Sequence, residues 1–163
     1  MSFLSDVPGN QKKKLNSMEM DVVVKLLQWP SQQCLPVFDL LRVFLTHHQS
    51  ERLFSGVDSG MNQVLKLSSI LADDSNSEGM RTLIVKTLCN LCNFTQNKNS
   101  LFRFGETVMA TLGMMQIRCQ SPAFRNALSA LVFNYSLAYQ EVATNLYDDQ
   151  HINRFLALLL SLL

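Results

Sequence analysis

IVKTLCN at residues 84–90 is repeated in outline as LSALVFN at residues 128–134. The shift is 44 residues; it superposes Asn90 on Asn134, and in the other direction it reaches LLRVF at residues 40–44. Self-similarity at a period of about 40 to 47 residues is typical of helical solenoids, in which each repeat contributes two or three helices. The repeated stretch therefore predicts an all-α protein made of stacked helical units.

Apolar residues recur at helical spacing along the rest of the chain, between short polar breaks. Glycine (6) and proline (4) are scarce, and no Asn-Gly or Asp-Gly pair separates alternating apolar runs, which argues against β-hairpins. The pattern predicts helices at residues 17–28, 33–47, 49–55, 59–72, 77–94, 98–104, 106–119, 122–138, 140–147 and 149–163.

Several helix boundaries carry local signals. Ser121, which precedes a proline, predicts a helix N-cap, and SNSE at residues 75–78 fits a capping box. The Trp-Pro pair at residues 29–30 ends the first helix, and Gly56 and Gly105 each close a short helix. Each repeat is thus expected to hold a short, a medium and a long helix.

The expected architecture is an α-solenoid of about three to four repeats. Its long helices, at residues 33–47, 77–94 and 122–138, are expected to line a shallow concave groove. Residues 1–16 include a Pro-Gly-Asn turn and three consecutive lysines with few apolar positions, which predicts a flexible linker or tail. One folded domain is expected over residues 17–163.

The composition argues against several function classes. The net charge is +1 and only 17% of residues are charged, so the chain has no overall basic field for nucleic acid. The longest apolar stretch, residues 155–163, is far shorter than the ~20 residues of a membrane span. Four cysteines in apolar surroundings, without a secretory signal pattern, predict a reducing compartment, the cytoplasm or the nucleus.

Candidate catalytic and metal-binding residues are few. Cys89 and Cys92 have the CxxC spacing of redox motifs, but they lie late in a predicted long helix, where core packing is the better explanation. His47 and His48 are adjacent, so on a helix they point in different directions and make a poor pair of metal ligands. No phosphate-binding glycine loop, HExxH or GxSxG motif occurs. We therefore expect no enzymatic activity, no cofactor and no metal.

Leu88-Cys89-Asn90-Leu91 resembles the third helix of armadillo repeats, where a small residue and an asparagine stand between two leucines. In that family the asparagines form a ladder on the concave face, where an amide can hold the backbone of an extended peptide. The resemblance implies an armadillo-like right-handed superhelix as the fold, and this role for Asn90 and Asn134. An asparagine bonded to a neighbouring loop within the fold is the alternative interpretation.

A second resemblance spans residues 17–163. WPSQQCLPVFDLLR at residues 29–42 resembles the opening signature of the PUL domain of the phospholipase-activating protein family. KTLCN at residues 86–90 and NYS at residues 134–136 resemble two later stretches of that family, in the same order. The matching signature letters are Trp29, Pro30, Pro36, Asp39, Leu41 and Arg42.

The PUL resemblance implies a non-catalytic module that docks the acidic C-terminal tail of the AAA+ ATPase valosin-containing protein in ubiquitin-dependent protein handling. In that family a basic groove receives the tail. The positions of this chain that match the groove residues of the family are Arg42 and Lys86. The family signature prefers arginine at the position of Lys86. A lysine there keeps the positive charge but cannot form the two parallel hydrogen bonds that a guanidinium makes to a carboxylate. Asn90 and Asn134 complete the expected groove.

The same resemblance implies further helices beyond Leu163. Residues 152–163 are apolar on nearly every side and lack the polar cap that a terminal repeat needs. This pattern predicts a domain truncated at its C-terminus; a missing partner and an exposed apolar end are the alternatives.

Two other interpretations stay open. One is a generic armadillo or HEAT scaffold for another protein. The other is the docking module of a larger ubiquitin-like-protein isopeptidase or redox enzyme, with the lysine run at residues 12–14 near the fusion joint. RNA binding by helical repeats would need a basic stripe with stacking aromatics, which Ala130 and Asn134 do not supply.

Overall fold

A computed structural model describes residues 15–30, 33–54, 57–142 and Ala157, and their side chains except those of residues 57–62 and 140–142. Over these residues the chain forms eight α-helices and no β-strand, which confirms the all-α prediction. The helices are Ser17–Leu26 (α1), Leu35–Phe44 (α2), Glu51–Phe54 (α3), Val57–Ala72 (α4), Glu78–Asn90 (α5), Thr95–Arg103 (α6), Gly105–Arg118 (α7) and Pro122–Val142 (α8). The predicted linker up to residue 14, the boundary at Gly56 and, apart from Ala157, the predicted helices beyond Val142 lie outside the described residues.

Helix α5 lies at the centre of the described structure, packed between α2 and α8. Helix α4 packs on α7, and α3 packs on α6. Helices that occupy equivalent places in the 44-residue sequence repeat are therefore neighbours in space. Their buried apolar side chains form one core, in which Leu88 of α5 and Leu131 of α8 are fully buried.

Polar contacts join successive units at nearly the repeat spacing. The Nδ2 atom of Asn97 donates to Oγ of Ser50, 47 residues away, at 2.8 Å. The backbone N–H of Ser121 donates to Oε1 of Glu78, 43 residues away, at 2.8 Å. Buried polar groups are stable only when they are hydrogen-bonded, so these contacts also fix how the units stack.

Capping chemistry explains where two helices begin. The Oγ atom of Ser121 accepts from the N–H of Phe124 at 3.2 Å, which confirms Ser121 as the N-cap of α8. The capping box predicted at residues 75–78 is wrong, because the N–H and hydroxyl of Ser75 both donate to Oδ1 of Asp73. The N-cap of α5 is instead Ser77, whose hydroxyl accepts from Met80.

Several helix ends differ from the predicted ones, and α2 is shorter at both ends, since it covers Leu35–Phe44 and not residues 33–47. Helix α5 ends at Asn90, because Leu91–Asn93 tighten into a 3-10 turn and Phe94 is extended, with φ −130° and ψ 149°. Helix α8 continues past residue 138 to Val142, since no glycine or proline interrupts it there. Gly105 does not close α6; it is the first residue of α7.

Candidate functional site

A groove with a volume of about 380 Å³ lies where α2, α5 and α8 meet. One positively charged side chain comes from each of the first two helices, and small or amide side chains of α8 form the opposite wall. The lining residues are Arg42, Lys86, Cys89, Asn90, Ala123, Asn126, Ala127 and Ala130. Arg42, Lys86 and Ala130, which the 44-residue shift superposes, thus border one surface depression.

Arg42 is fixed by two neighbours. Its Nε and Nη2 atoms contact Oδ1 of Asp39 at 2.9 and 2.7 Å, and its backbone carbonyl oxygen accepts from Nδ2 of Asn90 at 2.8 Å. About a third of the Arg42 side chain is exposed (34%), so the ion pair faces solvent. Asp39 offsets part of the positive charge of Arg42 and holds its guanidinium in one place.

Lys86 supplies positive charge to the groove without a partner of its own. Its side chain is exposed, and among the described residues it forms no hydrogen bond or ion pair. An exposed ammonium attracts carboxylates over about one Debye length, about 8 Å at physiological ionic strength. The free cation of the described groove is therefore Lys86, next to the oriented guanidinium of Arg42.

The two asparagines of the expected ladder do not share this groove. Asn90 borders it, whereas Asn134 borders a second depression. Each amide nitrogen bonds to the equivalent helix of the preceding repeat. Asn90 Nδ2 on α5 donates to the carbonyl oxygen of Arg42 on α2, and Asn134 Nδ2 on α8 donates to Sγ of Cys89 on α5 at 3.0 Å. The amide N–H groups therefore stabilise the helix stack, which leaves the amide oxygens for a ligand.

The second depression is smaller, about 190 Å³, and lies beside the first along α8. It combines one cation, two amides, a thiol and two apolar side chains: Lys98, Asn93, Asn134, Cys92, Leu137 and Ala138. Lys98 comes from α6, and Cys92 and Asn93 come from the 3-10 turn that follows α5.

The cysteines at the two depressions are weak acids. Burial raises the pKa of the Cys89 thiol and raises that of Cys92 to about 12. Both thiols are protonated at neutral pH, which is unlike the low-pKa thiolates of redox CxxC motifs. In the part of the chain that the structure describes, no group of three His, Cys, Asp or Glu side chains could hold a metal ion.

Sequence reasoning missed the residues that α8 and α6 contribute to the site. Ala123, Asn126 and Ala127 precede Ala130 by seven, four and three positions, which places all four on one face of α8. Carrying the 44-residue shift from Lys86 to Ala130 and then reading the helical neighbours would have found them. Lys98 has no such signal, because it reaches the site from another helix.

The sequence matches the family model of the PUL domain over residues 1–163. The chain belongs to the PUL domain family. A curated relative, the ubiquitin fusion degradation protein 3 homolog of Caenorhabditis elegans, is 27% identical over 112 residues. The matched part covers 69% of this PUL chain and 13% of the relative, so the likeness concerns a small part of that protein.

The signature residues of this PUL domain cluster around the start of α2. Pro36 lies in the first turn of α2, where a missing backbone N–H is tolerated. Leu41 is buried against the core, and Asp39 and Arg42 form the ion pair at the groove. The carbonyl oxygen of Trp29 accepts from the thiol of Cys34 at 3.0 Å, which closes the connection from α1. No helix within the described ranges is long and apolar enough to cross a bilayer.

Proposed function

We propose that this PUL domain is a protein-binding module of the ubiquitin system that docks the acidic C-terminal tail of the AAA+ ATPase valosin-containing protein. The observation that carries the proposal is the groove that Arg42 of α2 and Lys86 of α5 both line, with α8 as the other wall. Carboxylates are the ligands that such neighbouring cations bind. The proposal includes a right-handed armadillo-like superhelix, which the side-by-side packing of α2, α5 and α8 supports.

The wall formed by α8 favours an extended peptide as the ligand. Three alanines line it, so a peptide backbone can approach the helix closely. Asn126 is exposed and makes no hydrogen bond to any described residue, so its amide can both donate to and accept from a peptide group. Asn90 can accept through its amide oxygen.

The link to ubiquitin comes from the relative, whose name refers to ubiquitin fusion degradation. As part of the proposal we place the protein in the cytoplasm or the nucleus. Cys34, Cys89, Cys92 and Cys119 are all free thiols, as is usual in reducing compartments.

Calorimetric titration with an acidic tail peptide of the ATPase tests the proposal. Arg42→Ala should weaken binding about tenfold, because a hydrogen bond to a charged group contributes about 1.5 to 3 kcal/mol. Lys86→Ala should weaken it about threefold, since exposed charge pairs contribute about 0.2 to 1 kcal/mol. Binding by the wild type should also weaken as salt is raised.

Arg103→Ala is the matched control, because Arg103 is an exposed cation on α6 that lines neither depression. Its affinity for the tail should equal that of the wild type. Binding that is indifferent to salt and to Arg42→Ala would contradict the groove. Capture of another stable partner without the ATPase would favour the generic scaffold.

A further inference from the structure

Both depressions are bordered by α8, the first against α2 and α5 and the second against α6 and the 3-10 turn that follows α5. On α8 the first is bordered by residues between Ala123 and Ala130, and the second by residues between Asn134 and Ala138. Their centres are separated by about ten helical residues, or about 15 Å at a rise of about 1.5 Å per residue. An extended peptide covers that distance with about four to five residues, at about 3.3 Å each.

The contact at the boundary between the depressions is the hydrogen bond from Asn134 to the thiol of Cys89. Cys89 borders the first depression and Asn134 borders the second. Both side chains are partly exposed, so a ligand that leaves one depression meets an amide and a thiol before it enters the other.

The second depression carries charge of the same sign as the first. Lys98 contributes an ammonium group, whose charge lowers the pKa of the Cys92 thiol against the larger effect of burial. Lys98 therefore lies close enough to the depression to act on groups inside it. Leu137, with 47% of its surface exposed, adds an apolar patch at the same place.

We infer that the second depression is a subsite for the continuation of the same acidic peptide, which runs along α8 from the groove to the second depression. Lys98 binds an acidic residue about four to five positions from the one at Arg42 and Lys86. The inference rests on the proposed function and adds the direction of the ligand and its charge spacing. The volume of about 190 Å³ supports a subsite, because pockets that hold whole small molecules are about 300 to 1,000 Å³.

Two synthetic probes test the charge spacing. Both probes have six residues. The long probe, named for its longer acidic span, is Asp-Asp-Ala-Ala-Asp-Asp, with two acidic pairs four positions apart. The length-matched probe is Asp-Asp-Ala-Ala-Ala-Ala, with one acidic pair. The wild type should bind the long probe about tenfold more tightly, which corresponds to about 1.4 kcal/mol. Lys98→Ala should remove this advantage and leave the affinity for the length-matched probe unchanged.

Two variants control the experiment. Arg103→Ala removes an equal charge from the same helix and should keep the tenfold advantage. Lys98→Arg retains a cation and should also keep it, which separates loss of charge from loss of folding; far-UV circular dichroism checks that each variant is helical.

The outcomes separate the two proposals. If the length-matched probe binds in an Arg42-dependent manner but Lys98→Ala does not change the advantage of the long probe, the subsite is overturned and the groove stands. The subsite is also overturned if Lys98→Ala weakens both probes equally. If neither probe binds the wild type, the groove and the subsite fail together.

Discussion

Arg42 is oriented before any ligand arrives. Asp39 holds the Nε and Nη2 atoms of its guanidinium, and Asn90 holds its backbone carbonyl. The Nη1 atom takes no part in these contacts, so it remains to donate to a ligand carboxylate. Asp39 is thus a positioning residue that acts through Arg42, although its own charge repels an acidic peptide.

Substitution of Asp39 separates orientation from charge. Asp39→Ala should weaken binding of the acidic tail about fivefold, because restraining a freed side chain costs about 1 kcal/mol. Asp39→Asn should bind at least as tightly as the wild type, since its amide oxygen can still accept from Arg42 while the repelling charge is gone. Fluorescence anisotropy with a labelled tail peptide measures both. Tighter binding by the alanine variant would show that Asp39 only competes with the ligand.

At the scale of the helices, Glu78 joins the start of α5 to the start of α8. Its Oε1 atom accepts from the backbone N–H of Ser121, whose hydroxyl caps α8. The hydrogen bonding with Ser121 lowers the pKa of the Glu78 carboxyl below its ordinary value of 4.5, and the nearby charge of Arg81 acts in the same direction. The contact therefore stabilises the fold more when Glu78 is ionised.

Glu78→Gln should lower the free energy of unfolding at neutral pH. The folded pKa is below the unfolded one, so the contribution of the carboxylate is fully present above the unfolded pKa of about 4.5 and is lost as the pH falls through the folded value. Urea unfolding at a series of pH values should show the two proteins converging in acid.

The control for this series is Asp21→Asn, which changes an exposed carboxylate on α1 that makes no hydrogen bond to a described residue. Its free energy of unfolding should stay within about 0.5 kcal/mol of the wild type. If the free energies of unfolding of the wild type and Glu78→Gln still differ in acid, the charge of Glu78 does not account for the loss of stability.

The sequence predicted most helices, because apolar periodicity and helix-breaking residues are local signals. It misplaced the cap of α5, since Asp73 is near enough in sequence to bind Ser75 first. The predicted helix also ran too far at the end of α5. The side chains of Leu91–Asn93 carry no signal that distinguishes a 3-10 turn from another turn of α-helix.

The candidate site was predictable only in part. The 44-residue shift relates Arg42 to Lys86, which border the same depression because the shift matches helices that pack side by side. The shift did not reveal that Asn90 and Asn134 border different depressions. Each asparagine bonds to the equivalent helix of the preceding repeat, so each borders a depression of its own. Lys98 depends on how α6 packs, which no periodicity of the long helices encodes.

At the scale of the whole molecule, α5 packs against both α2 and α8, so the stability of the described fold depends on its buried side chains. Leu88→Ala, at a fully buried position of α5, should lower the free energy of unfolding by about 2 to 5 kcal/mol, through lost apolar burial and the cavity left behind. Met114→Ala on α7 is the control, because Met114 is 49% exposed and its loss should cost far less. Denaturant unfolding measures both; equal losses would mean that α5 is not central to stability.

Arg42 and Lys86 belong to successive helical units, and the amide of Asn90 fastens one to the other. Under the proposed docking, a tail bound to both cations would bridge that joint and stabilise it, because a ligand that binds only the packed arrangement of the two units favours that arrangement. The same linkage works in reverse, since a change that weakens the packing of α2 on α5 would lower the affinity for the tail.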